Sequence, residues 1–457
     1  MKAKIFCISV FLFSGMYCVH AQSPGVNDKV GAHITEKVNR ELNQSIIVGI
    51  VTSAGDEYIT AGTISEENPT APTKDTIYEI GSITKVFTAA SAADLIKQRQ
   101  LTWKTTAGAL LPQNAQPPNF EGQPINLHHL ATHSSGLARL PLNLNPEDPQ
   151  NPYKDYDEEA LYKGVKLAGL PYPPGSFYLY SNFGYGLLGH LLELRTGDPY
   201  ETIVKEHVTE PLGMANTAVT LTEEQQVLLA PGHQGKKEVP GWDLNAMSGA
   251  GALKSNAEDL IKFLKAQMGM IKNPKAAAMG SIHAPILPTG SKDTMVGYAW
   301  QITRSDGTTV YWHNGQTGGY ASFIGFNPSR RIGVVVLSNT NQSVDEIGFY
   351  VLAPDVYPLG DFQPLPRVPI STLERYVGTY EIAPGAEIKV TREDNRLYAT
   401  ITGTPTYRIF PISETRFGFA EGNLILDFDS KAKRGKVQTI KVEEKLRSYG
   451  ARRIKEE

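Results

Sequence analysis

Two short runs of apolar and β-branched residues lie near the start of the chain, at residues 45–52 and 57–62, on either side of a turn at 53–56. Such runs around a Gly-Asp step predict a β-hairpin. Strand-like patterns return late in the chain, at residues 297–303, 308–313, 320–326 and 331–338. The last run is continuously apolar, which is typical of a strand buried on both faces.

The region between about residues 125 and 270 has a mostly helical and loop-like pattern. Apolar positions with helical spacing predict helical segments at residues 127–133, 183–195, 200–207 and 257–267. Strands from both ends of the domain therefore bracket a helical insert. The simplest arrangement is an α+β fold, in which an antiparallel sheet is flanked by helices.

The C-terminal part has a third pattern of residues, which differs from the two before it. Proline recurs at positions 358, 364 and 366, which predicts a linker over residues 357–367. Beyond it, closely spaced alternating segments predict a small all-β barrel or sandwich at residues 368–457. We expect the charged tail, residues 445–457, to fray.

The N-terminus is typical of a secretory signal. A short basic segment is followed by an apolar run at residues 5–19, which is too short to span a bilayer comfortably. Cleavage after Ala21 leaves a first domain over residues 22–356 and removes both cysteines, Cys7 and Cys18. We therefore expect a secreted protein without disulfides, located in the bacterial periplasm, with no stable membrane insertion after signal removal.

The charge of the chain argues against a nucleic-acid partner. The chain of 457 residues carries 44 basic and 47 acidic side chains, a formal net charge of −3. It has no basic stripe of the kind that binds nucleic acid. We expect a small-molecule substrate and no nucleic-acid partner.

The first chemical motif is Ser82-x-x-Lys85, where a Gly-Ser step enters an alanine-rich apolar run. This pattern places Ser82 at or near a helix N-terminus, with Lys85 on the same face. A lysine kept partly neutral by burial can take the proton of a serine hydroxyl. Alone, the pair is more often an N-cap followed by a solvated lysine, because S-x-x-K occurs by chance in many chains of this length.

Two further clusters could complete an acyl-transfer site. Tyr180 and Asn182 are two residues apart before a predicted helix, which offers a phenol for proton transfer and an amide for a substrate carbonyl. His313 ends a predicted strand and is followed by Gly315 and Gln316, where glycine lets the backbone approach a substrate. The alternatives are an ordinary helix-entry turn and a Gly-rich hairpin.

Together these clusters resemble the serine hydrolases of the penicillin-recognising superfamily, in the branch of class C β-lactamases and their DD-peptidase and esterase relatives. That branch carries S-x-x-K, Y-x-N and K/H-x-G in this order. Further matches lie at residues 129–137, 210–214 and 251–260. The C-terminal part resembles the lipocalin-like domains fused to some members.

The resemblance implies a role for each residue. Ser82 would attack a carbonyl carbon and form an acyl-enzyme, with the oxyanion held by the backbone N–H groups of Ser82 and Gln316. Lys85 and Tyr180 would relay the proton, and which of them is the base stays open. Asn182 would bind the substrate amide. The resemblance requires no metal and no cofactor.

The histidines at positions 128, 129 and 133 lack a convincing ligand set, and we interpret them as structural.

Class C β-lactamases carry lysine where His313 stands, so capture of a penicillin carboxylate depends on a residue that is only fractionally charged near neutral pH. This predicts that hydrolysis of anionic substrates weakens as the pH rises through about 6 to 7.5. Three functions are considered: an amide hydrolase acting on β-lactams or D-alanyl peptides, a carboxylesterase acting on small esters, and a sensor that is acylated by penicillin or muropeptides and turns over slowly.

Overall fold

A computed structural model of the protein describes residues 25–271, 273, 275, 279–362, 365–383, 386–402, 404, 406–419, 424–428, 435–444 and 447–455. The predicted signal sequence and both cysteines lie outside these residues. Within the described ranges, no helix is long and apolar enough to cross a bilayer.

The strands are, in chain order, β1 (Ser45–Thr52), β2 (Gly55–Gly62), β3 (Ile77–Glu79), β4 (Asn119–Phe120), β5 (Gln123–Pro124), β6 (Gly232–Gln234), β7 (Lys237–Val239), β8 (Lys254–Asn256), β9 (Leu287–Pro288), β10 (Thr294–Val296), β11 (Gln301–Ser305), β12 (Thr308–Gln316), β13 (Ala321–Asn327), β14 (Ile332–Ser338), β15 (Gly378–Ala383), β16 (Ala386–Glu393), β17 (Arg396–Ile401), β18 (Thr406–Pro411), β19 (Arg416–Phe419), β20 (Leu424–Phe428), β21 (Thr439–Glu444) and β22 (Arg447–Lys455). The α-helices are α1 (Gly25–Asn39), α2 (Thr84–Lys97), α3 (Ala107–Leu110), α4 (Leu127–Ala131), α5 (Glu158–Leu167), α6 (Asn182–Thr196), α7 (Tyr200–Val204), α8 (Glu223–Gln226), α9 (Ser248–Gly251), α10 (Ala257–Gln267), α11 (Asp345–Leu352) and α12 (Ile370–Leu373).

An eight-stranded sheet joins the two ends of the first domain in the order β2-β1-β14-β13-β12-β11-β10-β9. The predicted hairpin is β1 and β2, which pair antiparallel from Ser45↔Gly62 to Thr52↔Gly55. On its other edge β1 pairs antiparallel with β14. The predicted α+β architecture, with a helical insert between the two groups of strands, is confirmed.

Helices cover both faces of the sheet. One face packs Ile46 and Val48 against α1 and α11, and the other packs Ile47 against a core that includes Phe87 of α2 and Phe263 of α10. Alternate residues of a strand point to opposite faces, so a strand covered on both sides must be apolar throughout. The same reason explains the continuous apolar run of β14, which is buried along its whole length.

Strand β11 begins later than the sequence predicts. Residues 297–300 form a tight connection in which Ala299 adopts a φ of +67° and its N–H donates to the Ala131 carbonyl oxygen at 3.0 Å. A contact with the helical insert therefore takes the place of strand pairing there.

The C-terminal domain is a closed barrel of the eight strands β15 to β22, which confirms the predicted all-β barrel. The prediction that the charged tail frays is wrong for residues 447–455, because β22 pairs with both β15 and β21 and closes the barrel. Ala451 is buried, and the Arg453 guanidinium donates to the Tyr380 hydroxyl at 2.6 Å and to the Arg375 carbonyl oxygen at 3.0 Å. These internal acceptors hold the tail in place despite its charge.

Candidate active site

Ser82 lies in the turn that connects β3 to α2. Residues Gly81–Ile83 form one 3₁₀ turn that leads directly into the helix. Gly81 has a φ of +49°, and a Cβ at this position would lie 2.8 Å from the backbone nitrogen of Gln316. Glycine therefore serves both the left-handed backbone and the close approach. The turn brings Ser82 next to the end of β12.

Lys85 is one helical turn from Ser82 and is completely buried. Its Nζ lies 2.9 Å from Ser82 Oγ and donates to the Ala250 carbonyl oxygen at 2.6 Å. Burial, assisted by the positive charge of Arg139, lowers the pKa of Lys85 well below its ordinary value. The proximity expected from the sequence is present, and this amine is suited to accept a proton.

Tyr180 approaches the same serine from the loop before α6. Its hydroxyl is hydrogen-bonded to the side chain of Ser82, and Lys85 Nζ lies 5.0 Å from the centre of its ring. Burial raises the pKa of the Tyr180 phenol, so it keeps its proton at neutral pH. The structure thus brings Ser82, Lys85 and Tyr180 together, with a lysine that releases its proton easily beside a phenol that holds it.

His133 fixes the loop that carries Tyr180. Its ring stacks on the Tyr180 ring with centroids 4.3 Å apart, and its Nδ1 accepts the backbone N–H of Ser181 at 2.9 Å. The proton of the neutral ring is therefore on Nε2. Burial, with the charge of Lys85 as a second cause, lowers the pKa of His133 well below its ordinary value. His133 therefore positions the loop that carries Tyr180. This role is more specific than the general structural role that the sequence predicted.

Asn182 is the first residue of α6. Its backbone N–H donates to the Arg139 carbonyl oxygen at 2.9 Å, and its Oδ1 is buried without a hydrogen-bond partner among the described residues. The side chain lines a narrow cavity of about 20 Å³ beside Ser82, together with Tyr153 and Trp242. An amide oxygen left unpaired in this position can receive an N–H group of a substrate.

Strand β12 differs from the sequence prediction in where it ends. It continues through Gly315 to Gln316 and pairs with β13 up to Gln316↔Ala321. A Cβ at Gly315 would lie 2.0 Å from the Ile80 carbonyl oxygen, which also accepts the Ser322 hydroxyl at 2.9 Å. Glycine at position 315 therefore allows close contact between β12 and the turn that carries Ser82, rather than forming a hairpin loop.

His313 is buried on the same strand, with its ring centroid 6.3 Å from that of Tyr180. Its Nδ1 donates to the Asn314 carbonyl oxygen at 2.6 Å, which leaves Nε2 as an acceptor. Burial, with the charge of Lys85 as a second cause, lowers the pKa of His313 to about 3. The predicted titration between pH 6 and 7.5 is therefore wrong for this structure, since the ring is neutral across that range.

Arg139 is the cationic residue that the sequence analysis missed. It is exposed, and its guanidinium carbon lies 5.1 Å from the centre of the Tyr180 ring. Its charge contributes to the lowered pKa of both Lys85 and His133. In the sequence, the one indication of Arg139 is its position two residues after the segment 129–137, which matches the family. Only the fold shows that it faces Tyr180.

Glu79 is a buried acid beside the end of β12. It accepts the Trp242 backbone N–H at 2.9 Å, and the nearby side chain of Thr317, which follows Gln316, lowers its pKa against the effect of burial. Burial raises the pKa of this carboxyl group. Glu79 thus connects β3, the Trp242 loop and the end of β12 around Ser82.

No cluster of three or more His, Cys, Asp or Glu side chains within the described residues could hold a metal ion. His128 Nδ1 lies 3.0 Å from the Tyr298 hydroxyl, and His129 Nδ1 accepts the Asn126 backbone N–H at 3.3 Å. The first contact joins the helical insert to the connection before β11, and the second lies within the insert.

Comparisons with known proteins concern the family and the fold of this chain. The Beta-lactamase family model matches residues 45–352, and the model called Domain of unknown function (DUF3471) matches residues 363–453. A β-lactamase from Pseudomonas fluorescens is 26% identical over 64% of this chain and 88% of its own length. The D-alanyl-D-alanine-carboxypeptidase/endopeptidase AmpH of Escherichia coli K12 is 24% identical over 74% of this chain and 91% of its own length.

A solved structure resembles both parts of the chain. The octameric penicillin-binding protein homologue from Pyrococcus abyssi aligns with a TM-score of 0.63 and covers 93% of this chain and 99% of its own. At 23% identity this likeness concerns the fold.

Proposed function

The chain belongs to the Beta-lactamase family, whose members are serine amide hydrolases, and from this premise we propose that it cleaves amides through an acyl-enzyme on Ser82. The substrates are the ring amide of a β-lactam or the D-alanyl amide of a peptidoglycan-type peptide. One observation carries the proposal above the others: a completely buried lysine amine lies 2.9 Å from the Ser82 hydroxyl.

In the acylation step, Lys85 takes the Ser82 proton while Oγ attacks the carbonyl carbon. We assign the base to Lys85, because burial lowers its pKa while burial raises that of Tyr180. The backbone N–H groups of Ser82 and Gln316 hold the oxyanion. As the C–N bond breaks, Tyr180 gives its proton to the leaving nitrogen and recovers one from Lys85.

Deacylation reverses the proton path. Water loses a proton to the Lys85–Tyr180 pair as its oxygen attacks the ester carbonyl, and Ser82 recovers a proton when the acyl group leaves. Asn182 binds the amide of the acyl side chain, which its unpaired Oδ1 supports. In both steps every bond that breaks is matched by one that forms, and no cofactor is needed.

The neutral state of His313 bears on the choice of substrate. A neutral imidazole accepts or donates a hydrogen bond but adds no Coulomb attraction for a penicillin carboxylate. This observation favours a second candidate, a carboxylesterase that uses Ser82 on small uncharged esters. A protein acylated by penicillin that turns over slowly is the third.

We further propose a domain organisation and a location for the chain. It consists of a signal sequence over residues 1–21, a hydrolase domain over 22–356, a linker over 357–367 and a barrel domain over 368–457. Export to the bacterial periplasm follows from that signal sequence.

Intact-mass analysis after incubation with a fluorescent penicillin tests the nucleophile. We expect one covalent adduct in the wild-type protein and none in Ser82→Ala. Ser91→Ala is the matched control, because Ser91 is a buried serine of α2, the helix that follows Ser82, and its hydroxyl has no partner among the described residues. An adduct that persists in Ser82→Ala would refute the proposal.

Parallel assays with a chromogenic cephalosporin, a D-alanyl-D-alanine peptide and a short-chain ester rank the three functions. Fast release from the cephalosporin or peptide supports the amide hydrolase. Turnover of the ester alone supports the esterase, and a stable adduct with little product supports the sensor.

A further inference from the structure

Arg139 carries a charge that the described part of the protein does not neutralise. Its side chain is exposed, and its guanidinium forms neither an ion pair nor a hydrogen bond with any described residue. It lies over the ring of Tyr180, with 5.1 Å between the guanidinium carbon and the ring centre. An arginine has five N–H donors in a planar fork that matches a carboxylate. These donors are therefore available to a ligand.

The basic side chains beside the largest cavity differ in this respect. This cavity, of about 1150 Å³, lies between the barrel and the sheet face covered by α1 and α11. Of the lysine and arginine side chains that line it, Lys37 pairs with Glu346 at 2.5 Å and Arg40 pairs with Glu36 at 2.6 Å. An anion in this cavity would compete with two carboxylates of the protein, whereas an anion at Arg139 would not.

The charge of Arg139 acts throughout the cleft around Ser82. Burial is the larger cause that lowers the pKa of Lys85, and Arg139 is the second. Arg139 also opposes the rise in pKa that burial imposes on Tyr153 and Tyr178. Within the described ranges, no carboxylate contributes to the shift of any of these three groups. The cleft is therefore a positive environment, and Arg139 is the source of its charge.

The other basic groups of the site do not offer a cation to a substrate. His313 Nδ1 donates to a backbone carbonyl oxygen at 2.6 Å, so the neutral ring presents Nε2 as an acceptor, which cannot bind a carboxylate. The amine of Lys85 is occupied by Ser82 Oγ at 2.9 Å and by the Ala250 carbonyl oxygen at 2.6 Å. Recognition of an anionic substrate therefore depends on Arg139.

The position of Arg139 indicates which part of the substrate it meets. Its backbone carbonyl oxygen accepts the N–H of Asn182 at 2.9 Å, so the two residues are neighbours. Asn182 and Tyr153 line the narrow cavity at Ser82. In the proposed mechanism Asn182 binds the amide of the acyl side chain. A group attached just beyond that amide therefore comes close to Arg139.

We propose that Arg139 binds an anionic group in the acyl part of the substrate, and that the enzyme prefers acyl groups that carry a carboxylate. The inference rests on the proposed function of Ser82 and narrows its substrate class. A carboxylate in this place forms charge-assisted hydrogen bonds with the guanidinium, and a neutral acyl group forms none. Selection by charge thus takes place on the acyl side of the scissile bond.

Three penicillins distinguish the two sides of the scissile bond. Benzylpenicillin is the reference, α-carboxybenzylpenicillin adds a carboxylate to the acyl side, and benzylpenicillin methyl ester lacks the carboxylate of the leaving side. Intact-mass analysis gives the second-order rate constant for acylation of Ser82 by each compound. We expect the wild-type protein to react at least about fivefold faster with the α-carboxy compound than with benzylpenicillin.

Arg139→Gln should bring these two rates to within about twofold of each other, and Arg139→Lys, which keeps a positive charge, should retain a preference. A change in the pKa of Lys85 alters both rates by the same factor, so it cancels in their ratio. Arg195→Gln is the matched control and should keep the wild-type ratio, because Arg195 is an exposed arginine of α6 that lines neither cavity. Added salt should weaken the preference, since the guanidinium is exposed.

Equal rates with benzylpenicillin and its α-carboxy derivative would overturn this inference and leave the proposed function intact. A ratio that Arg139→Gln and Arg195→Gln lower equally would overturn it too. If Arg139→Gln instead removes an advantage of benzylpenicillin over its methyl ester, the anion binds on the leaving side and the acyl assignment is wrong. If no penicillin forms an adduct with Ser82, the proposed function fails and the inference fails with it.

Discussion

Gly315 packs so closely on Ile80 that one added carbon atom would lie 2.0 Å from the Ile80 carbonyl oxygen. This contact sets the distance between the strand that carries Gln316 and the turn that carries Ser82. Two segments more than two hundred residues apart in sequence therefore form one site, and the closeness of their backbones is a requirement that can be tested.

Gly315→Ala should separate β12 from the Ser82 turn and weaken the oxyanion site. We expect the rate of acylation to fall about 10²- to 10³-fold, the range for loss of one oxyanion donor. Stopped-flow measurement of penicillin acylation checks this. Gly169→Ala is the control, because a Cβ at that position meets no atom within 4 Å. An unchanged acylation rate in Gly315→Ala would contradict the assignment of Gln316.

Arg139→Gln should move the acidic limb of the pH profile of kcat/KM to higher pH. Lys85 must be neutral to act as a base, so activity is present above its pKa and is lost as the pH falls through it. Removing the positive charge of Arg139 raises that pKa, because this charge is one of the two causes that lower it. Arg195→Gln, an exposed arginine of α6, should leave the profile unchanged.

His313→Gln should leave the pH dependence of KM for an anionic substrate unchanged between about pH 5 and 8. The pKa of His313 is lowered to about 3, so the ring has lost its proton below this range and does not change charge within it. Initial rates with one cephalosporin across the range measure this. A KM that rises between pH 6 and 7.5 in the wild type and stays flat in the variant would restore the charge-dependent role.

Truncation after Glu444 should open the barrel, because β22 pairs with both β15 and β21. Two ladders are lost from a domain whose whole stability is on the order of 5–15 kcal/mol, so we expect it to unfold. Limited trypsin digestion should then cut within residues 378–444. Truncation after Lys455 keeps β22 and should retain full protection, and protection of the shorter chain would contradict the closure.

Much of the fold follows from local pattern. The hairpin of β1 and β2 is visible because β-branched residues flank a Gly-Asp turn, and α10 because its apolar residues recur at helical spacing. The tail was misjudged because its charges hide the strand pattern. Arg453 is satisfied by Tyr380 and by backbone carbonyl groups of the barrel, partners that cannot be recognised before the barrel is closed.

The sequence by itself determined the α+β class, the all-β barrel and the motif residues Ser82, Lys85 and Tyr180, since these depend on local periodicity and on short spacings. Tertiary structure alone decided the charge of His313, because burial comes from distant segments that pack around it. It likewise decided the place of Arg139 over Tyr180 and the cavity between the domains. Desolvation and contact between remote elements are properties of packing, which local pattern does not encode.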